Sequence, residues 1–352
     1  MSLLYIRIMK PIQIDFDNRN KRLVGIDVAK AIAIVFVVLT HTALLMPAYR
    51  LWAGLAVPSF FMIAGFANAR KMTLEETEHC FAWWTRADLI KYFTRVSLPY
   101  LVMCLAEVIV LPLVKYASID IVFLNTIKGG MGPGGYFLVC FAQLFLVFPL
   151  IWHAYKRKPI LTFAVVLAIQ LTVSLLFGLV FIPKWQLATE IYKFVGVKYL
   201  LVTMAGIVLF DHFSRIQWWV FVVTALLGLA LGLVMEFVPE GFAWDKAKTI
   251  DDLQLALYTF GVVGGLIVFT SNIRYRHKHN PLSVFADSTL HILLFQQVYF
   301  CCIGDRPKYI ALDAFVALIG GVCFYLAWYW AAKLIKYLIS KDRLKKESAE
   351  QV

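Results

Sequence analysis

Apolar residues in this chain gather into long runs, separated by short polar stretches. The runs lie near 28–48, 51–69, 95–114, 135–154, 160–183, 191–210, 217–237, 253–272, 284–303 and 309–338. A helix needs about 20 apolar residues to cross the hydrocarbon core of a bilayer. The pattern predicts an all-α fold: a polytopic bundle of ten transmembrane helices. The second run is short and contains Gly54, Pro58 and Gly65, so it is read as a broken helix beside a cavity. Residues 76–93 mix Phe81, Trp83, Trp84, Leu89 and Tyr92 with Arg86, Asp88 and Lys91. That mixture predicts an amphipathic helix lying at the interface.

Composition strengthens the membrane reading. Of 352 residues, 61% are hydrophobic and 16% charged, with a mean hydropathy of +0.75. Soluble domains are nearer half apolar and a quarter charged. The formal net charge of +12 would suggest nucleic acid if the basic residues shared a soluble face. Here they sit in short loops, where they report topology instead. The N-terminal segment, alternate loops and the tail hold 21 lysines and arginines, against 8 in the intervening loops. Both termini are therefore expected in the cytoplasm. The start of the chain does not read as a signal peptide. The expected organisation is a cytoplasmic N-terminal segment at 1–27, a membrane domain at 28–339 and a cytoplasmic tail at 340–352.

The six cysteines show neither metal nor disulfide spacing and read as small hydrophobes. His277 and His279 have no third ligand near in sequence, so no metal is expected.

The polar residues inside the runs carry the candidate chemistry. Lys30 and His41 are eleven residues apart in the first run. Eleven steps of about 100° return to within roughly 20° of the start, so both share one helix face, ~16 Å apart along the axis. Ionisable groups in a membrane helix are expensive and usually mark a site or pathway. A packing or snorkelling role is the alternative for each. Glu107 lies within the third run and must be protonated or paired there. Lys91 and Arg95 precede that run and could simply anchor it at the interface. Gln143, Gln170, His291, Gln296 and Gln297 are further polar groups in apolar runs. Each reads first as an interhelical hydrogen-bonding group. The stretch Lys128-Gly129-Gly130-Met131-Gly132-Pro133-Gly134-Gly135 lacks the phosphate-loop spacing. It reads as a turn, or as a place where backbone can approach a substrate or another helix.

Several of these residues together resemble the integral-membrane acyltransferase-3 family. Lys30, ten residues, then His41 is similar to that family's basic residue and histidine. Val57-Pro58-Ser59-Phe60-Phe61-Met62-Ile63-Ala64-Gly65-Phe66 resembles its Pro-x-Phe-Phe-x-x-Ser-Gly-Phe block, with Ala64 in place of the usual serine. Lys91 to Tyr100 resembles the basic pair and Leu-Pro-Tyr that follow. Gly132 to Phe137 with Gln143, and Ser288 to Phe300 with Gln296, resemble later blocks more loosely.

The resemblance implies an O-acyltransferase of a bacterial inner membrane. It would move an acetyl or other acyl group from cytoplasmic acetyl-CoA to a hydroxyl of a surface or lipid-linked carbohydrate. His41 would be the general base or a transient acyl carrier, and Lys30 would orient the thioester or hold phosphate. Lys91 and Arg95 would bind CoA phosphates, with Glu107, Tyr136, Gln143 and Gln296 as further candidates. The competing class is a secondary transporter or flippase with Lys30, His41 and Glu107 as an intramembrane relay. A membrane subunit without chemistry is a third, less favoured by the buried Lys and His.

Overall fold

The computed structural model describes residues 22–42, 54–75, 84–115, 118, 120, 132, 134–181, 186–237, 248–270, 273, 280–303 and 309–350. Among the described residues there is no strand, and every regular element is helical. Helix α1 is Val24–Thr42 and α2 is Ala56–Leu74. Helix α3, Arg86–Tyr92, passes through a π turn, Phe93–Ser97, into α4, Leu98–Lys115. Helix α5 is Tyr136–Arg157, and α6, Pro159–Leu175, ends in a second π turn, Leu176–Phe181. Helix α7, Gln186–Lys193, and a 3₁₀ turn, Gly196–Tyr199, lead into α8, Leu200–Asp211. Helix α9 is Trp218–Phe237. A third π turn, Phe260–Gly264, joins α10, Lys248–Thr259, to α11, Gly265–Thr270. The chain finishes with α12, Pro281–Asp287, α13, Thr289–Ile303, and α14, Ile310–Glu350.

Helix therefore occupies each of the ten apolar runs. Among the described residues, six stretches are long and apolar enough to cross a membrane: Val24–Thr42, Arg86–Val114, Tyr136–Arg157, Pro159–Phe181, Asp252–Thr270 and Ile310–Ile335. Trp218–Val234 and Thr289–Ile303 are apolar but shorter.

Three local readings change. The break expected in the second run is absent among the described residues, where helix is continuous over Ala56–Leu74. Pro58 is the third residue of α2, in the first turn, where a missing N–H leaves no helical bond unmade. Of the expected interfacial helix, residues 76–83 lie outside the described residues. The remainder, α3, starts at a Thr85 cap that accepts from Asp88 N and runs on into α4. Helix α14 also continues through the predicted tail as far as Glu350, as its Lys- and Glu-rich composition favours.

The packed and lipid-facing sides separate cleanly on α4. Met103, Glu107 and Leu111 are buried, whereas Leu105, Ile109 and Leu113 are 60%, 54% and 73% exposed. Both sets follow an i, i+4, i+8 spacing, so each forms one stripe. Exposed leucine and isoleucine are what a bilayer solvates.

The centre of the bundle depends on two glycines. Helix α2 packs between α1 and α8. A Cβ on Gly65 would lie 2.2 Å from Thr203 O, and one on Gly206 would lie 2.1 Å from Met62 O. Both helices thus approach backbone to backbone, as small residues allow in membrane bundles. Phe61 stacks on Tyr199 at 4.1 Å beside this contact.

Candidate active site

A cavity of about 700 Å³ opens between α1, α2, α5, the α7–α8 connection, α10 and α13. Helix α1 lines it with Lys30, Ile34, Val37, Thr40 and His41. These residues follow the helical repeat, so the face shared by Lys30 and His41 is the face the cavity uses. Lys30 stands near the first turn of α1 and His41 in its last. The cavity therefore runs along most of the helix.

At the Lys30 end, Arg22 fastens the start of α1 to α12. Its guanidinium donates to Asp27, to both oxygens of Asp287 at 2.8 and 2.9 Å, and to Ser283 O at 2.9 Å. Partial burial opposes its charge, but the hydrogen bonds to Asp27 and Asp287 win and raise its pKa above the ordinary arginine value. Asn68 of α2, Val96 of the first π turn and Thr289 of α13 also line the cavity.

Of the glycine turn, residues 128–131 and 133 lie outside the described residues, and at the His41 end Gly134 lies against the ring. Gly132 packs directly on α13, since a Cβ there would lie 2.4 to 2.6 Å from the backbone of Gln297. Gly134 has φ +94°, a conformation that side chains with a Cβ rarely adopt. The Cβ position of Gly134 lies 3.8 Å from His41 Nε2 and 3.9 Å from Gln297 Nε2. The turn thus acts as a close backbone approach, one of its two predicted roles, and it brings α1 and α13 to one point.

Beyond His41 the wall is polar and aromatic. Lys198 Nζ sits 4.7 Å above the ring of Tyr136, 4.9 Å from that of Tyr199 and 5.8 Å from that of Tyr192. These are cation–π distances. Tyr192 donates to Asp252 Oδ2 at 2.8 Å, and Ser174 donates to the same oxygen.

Of the residues singled out from sequence, Lys30, His41 and Tyr136 meet in this cavity. Ala64 lines it too, so the departure from the family's serine changes the cavity wall itself. Lys91 and Arg95 do not line it; both are exposed, and Val96 alone of that segment reaches the cavity. Glu107 is fully buried on α4 and does not line the cavity. Gln143 is occupied elsewhere: its side chain donates to Phe194 O and accepts from Gly196 N, both at 2.8 Å. It braces the connection that carries Lys198. Gln296 is fully buried behind the cavity wall, and neither of its amide atoms has a hydrogen-bond partner among the described residues.

Tyr192, Lys198 and Asp252 were missed by the sequence reading. Two lysines and two tyrosines within 191–199, in an otherwise apolar run, were the available signal. Asp252 lacked one, because it falls at a predicted helix end, where charge is ordinary. Among the described residues no group of three metal-ligating side chains is close enough to hold an ion.

These features define a membrane-embedded helical protein with a deep cavity that offers lysines, a histidine and a tyrosine–aspartate pair. A family profile described as an acyltransferase domain matches residues 23–333. The chain belongs to that family, acyltransferase-3, and is an acyltransferase. No curated protein and no solved structure matches it.

Proposed function

We propose that the protein transfers an acetyl or similar acyl group from cytoplasmic acetyl-CoA to a hydroxyl of a surface or lipid-linked carbohydrate. The observation that carries this reading is the single cavity holding Lys30 at one end of α1 and His41 at the other. In a bacterial inner membrane, crossed ten times with both termini inside, the Lys30 end faces the cytoplasm. The thioester enters there, with Lys30 beside it and Lys91 and Arg95 near the phosphates outside. The acceptor enters from the end that carries Tyr136, Tyr192 and Asp252.

Because one cavity reaches both ends, donor and acceptor can meet at His41, and we favour its action as general base over acyl carrier. The imidazole takes the proton of the acceptor hydroxyl as its oxygen attacks the thioester carbonyl. The C–S bond then breaks, and the imidazolium returns the proton to the thiolate. The relay reading has less support, since Glu107 stands outside the cavity that Lys30 and His41 share.

Membranes containing wild type or His41→Ala, matched for expression and given radiolabelled acetyl-CoA, test the reading. A general base contributes about 10²–10⁴-fold. Wild type should label a carbohydrate fraction, and His41→Ala should lose that labelling by about this factor. Equal labelling by both would refute the role of His41. Absence of labelling by wild type would refute the donor.

A further inference from the structure

The His41 end of the cavity carries more positive than negative charge. Among the described residues, the lysines and carboxylates that line the cavity are Lys30, Lys193, Lys198 and Asp252. Lys30 stands at the far end of α1 from His41. Lys198 belongs with His41: its Nζ lies 4.7 Å from the centre of the Tyr136 ring. Tyr136 follows two residues after Gly134, whose Cβ position is 3.8 Å from His41 Nε2. The Lys198 ammonium donates to Lys193 O at 3.0 Å and stands over the rings of Tyr136, Tyr199 and Tyr192. Ring faces offset only part of the hydration that an ammonium loses on leaving water. Asp252 is the carboxylate at this end, and one of its oxygens already accepts from Tyr192 and Ser174. Two lysines thus line the wall with one carboxylate that the wall itself engages. Charge in a membrane-embedded cavity marks the path of a charged partner. A neutral sugar needs no such group, since tyrosine hydroxyls and amides bind it without desolvating an ion.

We propose that the acceptor is an anionic carbohydrate, bearing a carboxylate or a phosphate, and that Lys198 is the specificity-determining residue that binds its charge, with Lys193 beside it. This rests on the acyl-transfer reading above, in which this end of the cavity receives the acceptor. A lysine ammonium is a compact point charge with three N–H donors, suited to either anion. The carboxylate would belong to an acidic sugar ring, and the phosphate to the link between a sugar and its lipid carrier. Holding the acceptor by its charge leaves its neutral hydroxyls for His41.

Competition against the labelling reaction tests this. Membranes with wild type, Lys198→Met or Lys198→Arg, matched for expression, receive radiolabelled acetyl-CoA and one competitor: methyl glucuronide, glucose 1-phosphate or the neutral methyl glucoside. With wild type, an anionic sugar should inhibit labelling at a concentration about 10–100-fold below that of methyl glucoside, the range expected for one hydrogen bond to a charged group. Preference for methyl glucuronide assigns the site to a sugar carboxylate, and preference for glucose 1-phosphate assigns it to a sugar phosphate. Raising acetyl-CoA well above saturation should not relieve the inhibition, because the donor enters at the Lys30 end. Lys198→Met should label more slowly and lose the preference, whereas Lys198→Arg, which keeps the charge, should retain it. Equal inhibition of wild type by charged and neutral sugars, or none by any of them, overturns the proposal without reference to a variant. So does a folded Lys198→Met protein that keeps the wild-type preference, and so does inhibition that acetyl-CoA relieves. If wild type labels no carbohydrate from acetyl-CoA, the acyl-transfer reading fails and the proposal falls with it. If wild type labels carbohydrate but shows no preference for charge, only the anionic acceptor is refuted.

Discussion

Two glycines in one turn are expected to respond to the same substitution in opposite ways. In Gly134→Ala the new methyl would lie 3.5 Å from Leu293 Cδ1, 3.8 Å from His41 Nε2 and 3.9 Å from Gln297 Nε2. All three are ordinary contact distances, so packing does not resist it. The backbone does: at φ +94° a residue with a Cβ pays about 1–2 kcal/mol. For a bundle of this size that lowers Tm by only a few degrees. The methyl also projects into the cavity wall beside His41 Nε2, where the proposed general base meets its substrates. We expect kcat to fall at least about 100-fold, or ~3 kcal/mol in the barrier, measured well below the variant's Tm. In Gly132→Ala the methyl would meet the Gln297 backbone at 2.4–2.6 Å, and neither helix nor turn can yield. Overpacking of this kind costs about 1–3 kcal/mol or more, so its main effect is on stability. The assay is acetyl transfer at saturating acetyl-CoA, with melting curves on the same preparations. Gly134→Ala with wild-type kcat would show that the reaction does not run beside this turn. A stable Gly132→Ala would show that the turn does not rest on α13 as described.

Gly206→Val would drive a side chain into Met62 O and Phe66 N, whose distances from the Cβ position are 2.1 and 2.8 Å; we expect it to be lost from the monodisperse peak in detergent chromatography, and a normal profile would refute the close α2–α8 contact. Gln143→Ala removes two hydrogen bonds to backbone and should lower stability by about 1–2 kcal/mol, while kcat changes less than tenfold; a hundredfold fall at unchanged Tm would instead make Gln143 part of the chemistry. Arg22→Met leaves Asp27 and Asp287 without their shared guanidinium and should cost roughly 1–3 kcal/mol, with half-exposure of the group reducing the effect. A Tm equal to wild type would refute that estimate.

Much of the fold was legible before the structure because a bilayer imposes a simple rule. Backbone polar groups must be satisfied within the segment, so a long apolar run has to be helical. The helical repeat then placed Lys30 and His41 on one face without further information. The reading of Pro58 went wrong for a positional reason. A proline breaks a helix in its interior but not in its first turn, and the run alone did not show where α2 began.

The glutamines mark where sequence reasoning stopped. Gln143 and Gln297 are the same residue type in similar apolar surroundings. One braces the backbone near Lys198, and the other stands unpaired beside His41. Nothing local distinguishes them, because a glutamine's role depends on which donor or acceptor another helix brings to it.

The sequence by itself determined the membrane environment, the helical segments, the shared face of Lys30 and His41, and the family likeness carried by residues 26–100. Each of these follows from composition, from a period within one helix, or from a local motif. Tertiary structure alone decided that Gly134 lies against His41, that Gly132 packs on the Gln297 backbone, and that Tyr192, Lys198 and Asp252 complete the wall. Those relations join residues from helices far apart in the chain. They depend on how closely backbones approach at Gly65, Gly206 and Gly132, and no periodicity within a single segment encodes that distance.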